Sequence, residues 1–145
     1  MALPDKIIQE AIQDILDKIS RGEFECIERK SKGDSVIGKP VDLHIRHKKS
    51  QKIIVCIEVT DVNSTQLVNE ACRLYFDTCF RKILIIGTGN APKKGKELCE
   101  EILKKLYCQN RIDDTPARVL VYESSKEENF KSELEKILRY FLVRY

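Results

Sequence analysis

The 145-residue chain has no long apolar run. Its longest apolar stretches, 53–57 and 83–86, are strand-sized and too short to cross a bilayer. The opening stretch MALPDKII lacks a basic start followed by an apolar block. No signal peptide is therefore expected, and the sequence reads as that of a cytoplasmic protein without a membrane partner. Extreme charge is also lacking: 26 Lys and Arg face 23 Asp and Glu, and the net +3 says little by itself about partners. No internal repeat, linker or low-complexity tract interrupts the chain. There is no helix-turn-helix or zinc-finger pattern either, so strong base specificity is not expected.

The cysteines lack a pattern as well. Cys26, Cys56, Cys72, Cys79, Cys99 and Cys108 are scattered without a CxxC pair, so the closely spaced ligands of a zinc site are missing. Most fall at apolar positions and are expected to act as small buried hydrophobes. Disulfides are expected only if the source is a hyperthermophile, the direction in which the richness in Lys, Glu and Ile points.

What is present suits one α/β domain spanning residues 1–145. With 42% hydrophobic and 34% charged residues the chain has the composition of a globular protein, and its length fits a single core. Pro4 stands where helices start, Ile8, Ala11, Ile12, Ile15 and Ile19 recur at helical spacing, and Gly22 is a stop signal. Strands are expected at 24–29, at 41–46 and at 53–59, the last apolar enough to be buried on both faces, with HKKSQK as the turn between the second and third. Asn63 and Gln66 make a capping box for a second helix carrying Leu67, Ala71, Leu74 and Cys79. A fourth strand at 82–86, a third helix through Leu98–Leu106, a fifth strand at 118–122 and a last helix at 126–142 complete the order. The first three strands are expected to form an antiparallel meander and the later helices to serve as crossovers, which gives a three-layer αβα sandwich.

Two acids stand where solvated charge is not expected. Asp42 follows Pro40-Val41 in a strand, and Glu58 lies near the end of the apolar strand IIVCIEV. Carboxylates inside a sheet are costly unless paired or bound to metal. If the two strands are hairpin neighbours, both acids lie at the end away from the HKKSQK turn. There they could hold a hard divalent cation such as magnesium. Each also has a plainer explanation: Asp42 as a polar edge-strand residue, Glu58 as a cap for the next helix or the partner of a lysine. Between Arg29 and Lys52, eight basic residues (Arg29, Lys30, Lys32, Lys39, Arg46, Lys48, Lys49, Lys52) face two acids (Asp34, Asp42), an excess that either attracts phosphates or keeps hairpin tips soluble.

The helix ending at Gly22, Gly33-Asp34, Pro40-Val41-Asp42 and Cys56-Ile57-Glu58-Val59-Thr60 together resemble the PD-(D/E)XK nuclease superfamily. The likeness is nearest to archaeal Holliday junction resolvases and restriction endonuclease-like folds, and it covers residues 4 to 88. It implies a core of helix, three-strand meander, helix and strand, followed here by a C-terminal helix-strand-helix extension. It implies magnesium, or manganese, bound by Asp42, Glu58 and the main-chain carbonyl of Val59, and an endonuclease acting on DNA, branched or duplex. Glu10 falls where those resolvases carry a helix-one glutamate, although the helical wheel turns it away from the apolar stripe. Gln66 falls where some branches carry a glutamine. Arg29, Lys30, Lys32, Lys39 and Arg46 would contact the DNA backbone, and a homodimer would suit two-strand cleavage.

One position departs from the family. The lysine expected two residues after the acid is Thr60, whose hydroxyl can hold a water but supplies no charge. Lys39 and Lys52 are candidates to replace it. Two readings remain open: a metal-dependent nuclease, or a non-catalytic relative that binds nucleic acid or protein. His44 and His47 flank the hairpin and are expected to pack or face solvent. Gly87-Thr88-Gly89-Asn90 suits helix capping better than phosphate binding. The glutamates of the last helix region (Glu123, Glu127, Glu128, Glu133, Glu135) read as a solvated face.

Overall fold

The computed structural model describes residues 5–28, 43–60, 64–87 and 92–143. The elements run α1 (Asp5–Ser20), β1 (Phe24–Glu28), β2 (Leu43–His47), β3 (Ile53–Thr60), α2 (Ser64–Phe76), β4 (Arg81–Ile86), α3 (Pro92–Leu106), β5 (Ala117–Val121) and α4 (Glu127–Leu142), with short 3-10 turns before β5 and before α4. All five strands form one sheet in the order β1-β2-β3-β4-β5. The first three are the expected antiparallel meander, while β4 and β5 add in parallel through helical crossovers.

The amphipathic periods decide which helix covers which face. Ile8, Ile12, Leu16 and Ile15 of α1 join Phe130, Leu134, Leu138 and Phe141 of α4 in one apolar cluster. The sheet's contribution there is Leu43, Ile45, Val55, Ile57, Val59, Ile83, Ile85 and Leu120. Leu67, Ala71 and Leu74 of α2 and Cys99 and Leu103 of α3 bury the opposite face with Cys56, Leu84, Ile86, Ala117 and Val119. Alternation along each strand supplies the two faces, and the central strand β3 is buried over its last six residues because both are covered. At Gly95 a side chain would meet the Leu67 methyl at 3.0 Å, so α2 and α3 touch there through glycine. Gly22, at φ +85°, ends α1 as its position suggested.

Among the described residues, α2 and α3 lie over β3, β4 and β5, and the α2 side of β1 and β2 carries Ile27, His44 and the ion pair Glu25–Arg46 at 3.0 Å. The free edge of β1 is closed by α1. Gln13 accepts from the Cys26 amide (2.8 Å) and donates to the Phe24 carbonyl (3.3 Å), and Gln9 donates to the Cys26 carbonyl (3.1 Å). Those groups would otherwise form an open edge ready to pair with another strand.

Candidate functional site

Glu58 sits on the central strand with only 1% of its surface exposed, on the α2 side of the sheet. Its charge is met by Arg73 of α2, whose Nη1 donates to Glu58 Oε1 at 3.1 Å and to Glu70 Oε2 at 3.0 Å. The spacing explains the meeting. α2 runs back antiparallel to β3 after the connection, so its last full turn returns to the level of Glu58. Arg73 Nε is buried with no hydrogen-bond partner among the described residues. Sequence reading did not find Arg73, since an arginine in the last turn of an amphipathic helix carries no functional signal until the helix is docked.

Thr60, 5% exposed, closes β3, and its carbonyl accepts from the Gly87 amide at 2.6 Å. Val59 turns its side chain into the opposite core, as alternation requires. Gln66 is exposed on the first turn of α2. Glu10 is exposed on α1, which packs on the opposite face of the sheet from Glu58, so the two glutamates are not brought together. Asp42 lies outside the described residues, as do Arg29, Lys30, Lys32, Gly33, Asp34, Lys39, Pro40, Val41 and Asn63. The nearest described neighbour of Asp42 is Leu43, which is paired with Ile57, the residue before Glu58. Lys52 precedes β3 at its far end, on the order of 20 Å along the strand from Glu58, and is corrected as a source of the missing cation. Arg46, expected on DNA phosphates, gives Nε and Nη2 to Glu25 Oε2 at 3.2 and 3.0 Å.

A second constellation lies on the same face, nearer the start of β3. His44 of β2 stands directly opposite Cys56 of β3. Asp77 and Cys79 come from the connection between α2 and β4. One ligand atom from each of the four lies within 4.8 Å of the others. Cys56 and Cys79 form a disulfide, with Cα atoms 5.8 Å apart. Both cysteines are buried, as expected of most of the six, and they are joined by the kind of cross-link that the sequence left open for a hyperthermophile source. Twenty-three residues separate the pair, and only docking of the connection against β3 brings it together. Cys26 and Cys99 do behave as expected: burial pushes both thiols up to about 12, so they remain protonated. Lys82 crosses beneath the connection and donates to the carbonyls of Tyr75 and Asp77, the latter at 2.9 Å. Burial lowers it to about 8 despite the opposing charge of Asp77.

No family model matches the chain, and no curated protein matches it. Among solved structures it is similar to the crystal structure of the YaeQ protein from Xanthomonas axonopodis pv. citri, at 14% identity and a TM-score of 0.41. That likeness covers 88% of this chain, which spans 61% of the length of the YaeQ chain. No helix among the described residues is long and apolar enough to cross a membrane.

Proposed function

We propose that this chain is a divalent-metal-dependent nuclease domain of the PD-(D/E)XK type, a three-layer αβα sandwich with a restriction endonuclease-like core, acting on DNA. The observation that carries the reading is Glu58, a carboxylate on the buried central strand, one residue beyond the Leu43–Ile57 pair that follows Asp42 in the chain. The order of helix, antiparallel three-strand meander, helix and parallel fourth strand supports it. Asp42, Glu58 and the Val59 carbonyl offer only oxygen donors, which suits magnesium or manganese. Bound there, the metal would supply Lewis acidity toward a phosphodiester and a more acidic water.

The remaining work falls to the chain's own groups. Arg73 takes the place left by the family lysine. It holds Glu58 in one orientation through its Nη1 and keeps a permanent positive charge beside that carboxylate. Thr60 offers a hydroxyl for a water. The non-catalytic reading draws on the same pair, because Arg73 already balances Glu58 without any metal.

Cleavage of labelled branched, duplex and single-stranded DNA in magnesium or manganese separates the two. The nuclease reading expects cutting that is lost in Asp42→Ala and Glu58→Gln and falls at least about 100-fold in Arg73→Ala, the size of effect typical of a charge-stabilising donor. If the wild type cuts nothing, yet shifts DNA with salt-sensitive affinity, the nuclease proposal fails and the domain is a binding relative.

A further inference from the structure

We propose that His44, Cys56, Asp77 and Cys79 form a zinc site in the reduced protein, and that the Cys56–Cys79 disulfide is its oxidised, metal-free form. The site is separate from Glu58 and does not depend on the nuclease reading.

The chemistry of the donors is that of a closed tetrahedral site: two sulfurs, one imidazole and one carboxylate. In such a site ligand atoms lie about 3.3–3.8 Å apart, given bonds of about 2.0–2.3 Å. The four atoms here already fall within 4.8 Å of one another while the sulfurs are bonded to each other. Opening the disulfide and separating the sulfurs is therefore the main movement needed. The pairing of β2 with β3 fixes His44 against Cys56, and the connection after α2 fixes the other two. Within it, Asp77 Oδ1 accepts from the Cys79 amide at 3.3 Å, which aims its carboxylate inward.

Two features are out of place around an inert disulfide. Asp77 Oδ1 lies 3.0 Å from Cys56 Sγ, and a buried histidine, 3% exposed, stands beside it. A zinc ion uses both. Charge also balances: two thiolates and one carboxylate against Zn2+ leave one negative charge, and the Lys82 ammonium lies against the Asp77 backbone. Access is open, since a groove of about 450 Å³ is lined by Ile27, Glu28, His44, Ile53, Asp77 and Cys79 among others.

The redox step balances with a dithiol reductant. It transfers two electrons and two protons to the Cys56–Cys79 bond, giving two thiols and the reductant's own disulfide. Zinc then displaces both thiol protons to solvent. Reoxidation reverses the sequence and expels the metal.

The test is metal titration of the full chain in two states, reduced with a metal-free phosphine and oxidised. Zinc is measured after desalting, and Co2+ serves as a spectroscopic probe. The proposal expects one equivalent of zinc in the reduced form and none in the oxidised form. It also expects a thiolate-to-cobalt charge-transfer band with intense tetrahedral d–d bands. Cys79→Ser and His44→Gln should each weaken binding at least about 100-fold, beyond the range of orienting partners, while Cys72→Ser and Cys108→Ser retain the full equivalent. Circular dichroism without metal identifies any variant that fails to fold, and the remaining ligand variant is then decisive. Zinc bound equally by oxidised protein, zinc retained in folded Cys79→Ser and His44→Gln, or no stoichiometric uptake by reduced protein would overturn the proposal.

Discussion

Arg73 and Glu58 meet at 3.1 Å across the α2–β3 interface, where the glutamate side chain is 2% exposed and the arginine 19%. Burying two charges is tolerable only while both are present, because each desolvated group needs the other. Arg73→Met removes the guanidinium that meets the buried Glu58 carboxylate and is expected to lower unfolding free energy by about 3 kcal/mol. Glu58→Leu combined with Arg73→Met should recover most of that loss. A double-mutant cycle by urea denaturation measures both, and simple additivity of the two substitutions would contradict the pairing.

Tyr107 packs edge-on against Tyr75, and its hydroxyl is buried without a hydrogen-bond partner among the described residues. Tyr107→Phe removes that unmet group and keeps the ring, so a gain of about 1 kcal/mol is expected. Burial pushes the phenol from 10 up to about 12. A neutral acid with a raised folded pKa keeps its proton in the folded state after the unfolded chain has released it. Wild-type stability should accordingly fall with rising pH between about 10 and 12, and Tyr107→Phe should lack that component. Melts of both proteins across the alkaline range provide the comparison.

The Cys56–Cys79 bond closes a loop of 23 residues. On loop-closure grounds its removal costs about 3 kcal/mol. Oxidised protein and a Cys56→Ala/Cys79→Ala variant, both free of metal, should differ by that amount in urea. Equal midpoints would mean that the cross-link does not constrain the unfolded chain.

Gln13 closes the edge of β1 by serving as both acceptor and donor to its backbone. Gln13→Leu preserves bulk but abandons an amide and a carbonyl, with an expected cost of about 1–2 kcal/mol. Exposure of the edge should also show as faster exchange at the Cys26 amide and as concentration-dependent association in sedimentation. Wild-type exchange in the variant would remove Gln13 from this role.

Much of the architecture was legible because it rests on periodicity. The helical spacing of Ile8, Ala11, Ile12, Ile15 and Ile19 marks α1, and the doubly apolar run of β3 predicts burial on both faces, which its last six residues bear out. Glu58 stood out because an acid inside such a run conflicts with its surroundings. What stayed hidden was contact between residues distant in sequence. Arg73 lies fifteen residues from Glu58, and Cys79 twenty-three from Cys56. Neither spacing follows a local rule, since each depends on how α2 docks. His44 packs, as expected of a strand histidine, but what covers it stayed hidden for the same reason: alternation alone cannot say whether the outward face of β2 meets solvent or a later connection.

The face of the sheet that receives α1 is finished by α4, the last helix in chain order, with Lys18 of the first helix bound to Glu135 of the last at 3.0 Å. Vectorial synthesis therefore delivers the two halves of this cover far apart in time. While α4 is still emerging from the ribosome, Val55, Ile57, Ile83 and Ile85 lack the Phe130, Leu134, Leu138 and Phe141 that complete their cluster. The nascent chain thus presents an apolar cleft shaped for one amphipathic helix, and until its own arrives, any passing helix of similar pattern competes for the place.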